Sequence, residues 1–170
     1  MSRALPGLVL VSAALLTGDA LACGDKFLVI GRGVRAQRVS GAVHHASILI
    51  YVSPTGDLDA ALRETRLDRE LSLAGHKVRS VSEAKQLDSA LAAGGYDLVV
   101  AAISDMPALE PKLAESPDRP ALLPLIYNPT GEELEAAKRE YRCVMRSPST
   151  QQGYLAVIED AMARRQKGAR

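Results

Sequence analysis

The sequence predicts an α/β fold: a three-layer, doubly wound parallel sheet with one extra N-terminal strand. Two observations carry this. Short apolar runs without polar alternation recur between helical patterns, which marks strands covered on both faces. The core must also be aliphatic, because Trp is absent and there is a single Phe, while Ala, Leu and Val dominate the apolar content. Strand and helix in regular alternation give parallel order with helices on both sides.

The strands are read first. Lys26 to Gly31 (Lys-Phe-Leu-Val-Ile-Gly) is an apolar run stopped by glycine, and it supplies the extra strand. Ser47 to Val52 is the next, closed by Ser53-Pro54-Thr55-Gly56. Tyr96 to Ile103 and Ala121 to Tyr127 follow, the latter ended by Asn128-Pro129. His76 to Val81 and Cys143-Val144-Met145 are shorter and weaker. The segment from Arg32 to Ala46 shows no clear element.

Helical spacing fills the gaps. Leu58, Leu62, Leu67, Leu71 and Ala74 mark one helical stretch or two short ones, ended at Gly75. Ser82 is the expected cap of the next, with Leu87, Ala90 and Leu91 on one face and Gly94-Gly95 as its stop. A third runs from about Met106 to Ala114. The fourth, about Glu132 to Tyr141, has Thr130 as cap and acids in its first turn, which suit the helix dipole. The last, about Thr150 to Arg165, puts Tyr154, Val157, Ile158 and Ala161 on one face, and a basic tail follows from Gln166.

The first residues read as an export signal. Arg3 gives the positive start, Ala4 to Leu16 is mostly apolar, and Ala20-Leu21-Ala22 is a small-x-small cleavage pattern. The apolar run is about a dozen residues, against roughly 20 for a membrane-spanning helix. The expected organisation is a signal over residues 1–22, an N-terminal extension over 23–46, one α/β domain over 47–165 and a basic tail over 166–170. The expected location is the periplasm or the exterior.

Cleavage at that pattern would leave Cys23 first. In an oxidising compartment it has one possible disulfide partner, Cys143. The other reading is a lipidated Cys23 that holds the domain at a membrane. A bridge would bring the added strand alongside the fifth.

From Ser47 onward the chain resembles a response-regulator receiver (CheY-like) domain, which has a flavodoxin-like five-stranded sheet. The residues that carry the likeness are Leu71-Ser72-Leu73-Ala74-Gly75-His76-Lys77-Val78, Gly95-Tyr96-Asp97-Leu98-Val99-Val100, and Arg146-Ser147-Pro148 before a closing helix. The likeness implies an acidic pair after the first strand, but Val52 and Ser53 stand there. The phospho-acceptor position falls on Ala102, with Asp105 beyond it. The switch position falls on Tyr127 or Asn128, and the lysine of the fifth strand near Ser147, beside Arg146. The expectation is a degenerate receiver without phosphotransfer chemistry.

Parallel α/β sheets hold ligands at the carboxyl ends of their strands. That rim is expected to gather Ser53, Thr55, Ser104, Asp105, Tyr127, Asn128, Thr130 and Arg146. Arg32, Arg35 and Arg38 form a small basic cluster after Gly31-Arg32-Gly33 that suits an anion, although the third glycine of a dinucleotide turn is missing. His44-His45 point to opposite sides of an extended chain, and His76 at a helix end suits the cationic form.

No metal, cofactor or catalytic triad is expected. A net charge of +1 gives no sign of a nucleic-acid partner. The partner is a protein or a small molecule, with Pro-rich Glu110 to Pro124 as a docking loop and Lys138, Arg142, Tyr154 and Arg164 on or near a contact face. The main expectation is an exported non-catalytic binding or interaction module. The alternatives are a solute-binding component of a periplasmic transport system and an enzyme using the rim.

Overall fold

A computed structural model of the chain describes residues 44–168. The added strand at Lys26 to Gly31, the signal and the basic cluster lie outside the described residues.

Five strands, β1 (Ser47–Tyr51), β2 (Lys77–Val81), β3 (Leu98–Ala102), β4 (Ala121–Tyr127) and β5 (Met145–Ser147), form one sheet in the order β2-β1-β3-β4-β5. Every pairing is parallel. All five residues of β3 are buried, as a central strand covered on both faces must be.

The helices are α1 (Leu58–Thr65), α2 (Leu67–Leu73), α3 (Ala84–Ala93), α4 (Met106–Glu115), α5 (Gly131–Glu140) and α6 (Gln151–Gly168). The alternation of strand side chains makes two cores. Ile48, Ile50, Leu98, Val100, Leu123 and Met145 pack with residues of α1, α2 and α6. Leu49, Val99 and Ala101 pack on the other face with residues of α3 and α4. This is the expected three-layer architecture.

The stretch after Leu58 takes the second of its two expected forms, two short helices, broken at Arg66 in the left-handed region (φ 48°). Three sequence expectations are corrected. The cap of α3 is Glu83 rather than Ser82, and no side chain caps it. The fifth strand begins at Met145, so Cys143-Val144 lies before it. Helix α6 runs to Gly168, taking in part of the expected tail. Two features hold as expected. Gly75 (φ 98°) ends α2 with His76 N–H donating to Leu71 O and Gly75 N–H to Ser72 O, the paired closure that favours glycine. Thr130 caps α5 in a reciprocal box with Glu133.

The amino ends of the strands are tied together by one carboxylate. Asp97 Oδ2 accepts the Ser47 amide at 2.9 Å and Oδ1 accepts Arg165 Nη1 at 2.5 Å, joining β1, β3 and α6. The three histidines of the chain lie at this end. His44 gives its amide to Glu159 Oε1 at 2.9 Å, and its Nδ1 lies 2.6 Å from Oε2. His45 Nδ1 lies 3.0 Å from Gly75 O.

His76 differs from its expectation. It is buried, 4% exposed, and its Nδ1 accepts the Ala46 amide at 3.2 Å, while Nε2 has no partner among the described residues. Burial pushes its pKa below the ordinary value; Glu159 opposes this and His45 reinforces it. The ring is a neutral structural acceptor, not a cation at a helix end.

The expected docking loop is also different. Glu110 to Glu115 belongs to α4, with Pro111 inside the helix, and Ala121 to Pro124 to β4, so only residues 116–120 connect them. Tyr154, placed near a contact face from sequence, is 2% exposed, and its hydroxyl meets Ser147 Oγ at 3.1 Å and the Ser149 amide at 3.0 Å. Helix α5 buries only Ala137.

Candidate functional site

The carboxyl ends of β1, β3 and β4 surround a pocket of about 170 Å³. The chain leaves β1 with the Val52 amide bonded to Val81 O at 2.8 Å, then turns sharply: Gly56 N–H donates to Ser53 O at 3.3 Å. Ser53 is 4% exposed and its Oγ lies 3.3 Å from Thr55 Oγ1. A Cβ at Gly56 would lie 2.8 Å from Ala102 Cβ, 3.0 Å from Ser53 Oγ and 3.3 Å from Asp105 Oδ2. The turn therefore closes over the end of β3 only because position 56 has no side chain.

A 3₁₀ turn, Ile103–Asp105, carries the chain from β3 into α4. It sets Asp105 one turn past Ala102. Asp105 Oδ2 is buried beneath Gly56 without a hydrogen-bond partner among the described residues. Its carboxylate does not cap α4.

On the β4 side, the Tyr127 hydroxyl donates to the Glu64 carboxylate of α1. That hydrogen bond is the main reason the phenol titrates above its ordinary value. Asn128 turns with φ 47°, and its amide bonds Ser147 O at 2.6 Å. Thr130 Oγ1 accepts the Glu133 amide at 3.2 Å, while the Thr130 amide reaches Glu133 Oε2 at 2.8 Å and holds that carboxyl below its usual range.

The sequence-predicted rim therefore divides. Thr55, Ser104 and Tyr127 line the pocket, and Ser53 and Asp105 lie under its Gly56 wall. Asn128, Thr130 and Arg146 do not line it; Thr130 is committed to its cap and Arg146 is exposed on β5. Sequence reasoning missed the apolar lining, Ala102, Ile103, Leu125 and Ile126, and missed Glu64. The run of apolar residues ending at each strand was a signal for the lining. Nothing local signalled Glu64, which meets Tyr127 only through folding.

The pocket lining offers hydroxyls and a single carboxylate, Asp57, with no basic side chain. Among the described residues no group of three or more His, Cys, Asp or Glu could hold a metal ion. Arg32, Arg35, Arg38 and Cys23 lie outside the described residues. Cys143 is 8% exposed, with its Sγ 3.7 Å from Asp160 Oδ2.

No protein-family model matches the chain. No curated protein matches it. Among solved structures, the chain is similar to a response regulator receiver domain protein from Clostridium thermocellum, at 20% identity and a TM-score of 0.52. The likeness covers 72% of this chain and 98% of that one. It establishes a receiver-like α/β fold.

Proposed function

We propose that the chain is an exported, non-catalytic binding or protein-interaction module on a receiver-like fold. The observation that supports the non-catalytic reading best is Ala102 at the carboxyl end of β3, facing the glycine turn. A methyl group stands where the resemblance calls for a phospho-acceptor. The end of β1 continues into Val52 and the buried Ser53 rather than an acidic pair. Asp105 does not replace them, since its buried oxygen lies behind the pocket wall instead of in the opening.

Export rests on the signal pattern over residues 1–22, and the same reading places Cys23 in a bridge to Cys143. No helix among the described residues is long and apolar enough to cross a membrane. The strand-end pocket of about 170 Å³ is smaller than the roughly 300–1,000 Å³ of typical small-molecule sites. This counts against a solute-binding component of a transport system that uses the strand-end pocket.

Incubation with acetyl phosphate and Mg²⁺ tests the reading: the intact mass stays unchanged, and a covalent phosphate on Asp105 would overturn it. A thermal-shift screen of small solutes separates the two binding readings, because a tight ligand raises stability by mass action. A strong hit would favour the transport role. Peptide mapping without reductant tests the bridge, and recovery of Cys23 carrying a lipid would place the domain on a membrane instead.

A further inference from the structure

We infer that His76 is a proton-operated latch on the two residues that lead into β1: the neutral ring holds Ala46 in place, and the protonated ring releases His45 and Ala46 while the sheet behind them stays closed. The inference stands apart from the proposed function and requires neither export nor a partner.

The latch consists of two hydrogen bonds that clamp one residue. Ala46 O accepts the Lys77 amide at 2.9 Å, and the Ala46 amide donates to His76 Nδ1 at 3.2 Å. The first is backbone pairing that leads into the β1–β2 register at Ser47 and Lys77. The second is a bond that only a neutral imidazole can make, because an accepting Nδ1 leaves the ring proton on Nε2. A second proton goes to Nδ1 and turns the acceptor into a donor facing the Ala46 N–H. Two donors cannot share the contact, so ring and peptide must part. Nor can the charged ring stay where it is. His76 is 4% exposed, and its Nε2 is already without a partner among the described residues. Protonated in place, it would bury a charge and two unsatisfied donors. The closed arrangement therefore excludes the proton, and an open one, in which the ring reaches water, accepts it.

The surrounding charges set the direction of the movement. Glu159 of α6 favours the cation and His45 opposes it, while burial outweighs both. Glu159 also holds His44, accepting its amide on Oε1 at 2.9 Å, with Nδ1 2.6 Å from Oε2. His45 Nδ1 lies 3.0 Å from Gly75 O, the carbonyl just before His76. Of the charged residues of α2, Asp68 and Arg69 are exposed and Glu70 is half-buried, and none bonds the ring among the described residues. Lys77 is exposed, and Asp97 of β3 is taken by the Ser47 amide and Arg165. Acid thus sets imidazoliums at 44, 45 and 76 against one nearby carboxylate, Glu159. Protonation strengthens the His44–Glu159 contact into an ion pair. His45 and His76 are left to repel each other. The chain stays fixed at His44 and at Ser47, and the two residues between them move out.

NMR on the full chain, titrated from about pH 8 to about pH 4, tests this. Ring nitrogen shifts should show His76 as the Nε2–H tautomer at the upper end. As His76 protonates, exchange of the Ala46 amide, taken relative to an open peptide, should accelerate about tenfold per pH unit, the slope of a one-proton opening. The Val99 and Val100 amides of β3 should keep their protection throughout. His76→Gln retains an acceptor without the titration and should leave Ala46 protected across the whole range. An Nδ1–H tautomer overturns the inference, and so does Ala46 protection that stays constant through the His76 titration. Loss shared with Val99 and Val100, which marks global unfolding, overturns it too, as does loss that survives His76→Gln. Should that variant fail to fold, the tautomer and the Ala46 profile of the unsubstituted chain decide alone.

Discussion

Replacing Tyr154 by Phe removes one oxygen from the best-buried polar contact in the described residues and leaves the ring in place. The hydroxyl joins Ser147 Oγ at 3.1 Å and the Ser149 amide at 3.0 Å, fixing the turn between β5 and α6. Ser147 is 0% exposed, whereas Ser149 is only half-buried and reaches water. A buried group left without its partner costs about 1–3 kcal/mol, with Ser149 at the low end, so about 2 kcal/mol is expected in total. For a domain of this size that lowers Tm by roughly 6 °C. Urea unfolding followed by circular dichroism should show a lower midpoint with an unchanged slope. Combined with Ser147→Ala in a double-mutant cycle, the pair should show a coupling of about 1 kcal/mol. A loss below about 0.5 kcal/mol, or no coupling, would refute the view that this hydroxyl organises the turn.

Three further outcomes follow from the geometry. His76 has its folded pKa pushed below 6.5, so between the two values the unfolded chain binds more protons; stability is complete above pH 6.5 and declines as pH falls from there through the folded value. His76→Gln, which keeps an acceptor for Ala46, should flatten that decline in a comparison of unfolding midpoints across pH. Gly56→Ala brings a methyl to 2.8 Å from Ala102 Cβ; overpacking of this kind costs about 1–3 kcal/mol, read by denaturation, and the strand-end pocket should shrink in a crystal structure. Arg66→Gly relieves a left-handed residue at φ 48° and should stabilise the fold by about 1 kcal/mol in the same assay.

The centre of the fold was legible because its signals are local. Ala121 to Tyr127 could be bounded from its apolar run and the Asn128-Pro129 stop, and the structure gives the same limits. Gly75 and Thr130 were legible as helix ends because the closing hydrogen bonds run within a few residues of them. Legibility fails where a residue's role is set by distant chain. His76 reads as a helix-end cation until Ala46, just before β1, is packed on it. Tyr154 reads as part of the apolar face of the last helix, but the partner of its hydroxyl is set only when β5 supplies Ser147. The site was legible by position, since strand ends converge in any parallel sheet. Its division was not: Thr130 is held by its own capping box, and Asp105 is turned under Gly56 by a 3₁₀ turn with no sequence signature.

Helix α5 buries one alanine in ten residues and is secured chiefly by the box at its own start. Such an element forms a cooperative unit of its own, able to open while both cores stay closed. Its amides should exchange well before those of β3, and surface substitutions along it should be absorbed with little loss. For protein engineering, this makes α5 the natural place to carry a label or a grafted epitope. It is also the stretch where sequence can drift fastest without the fold registering the change.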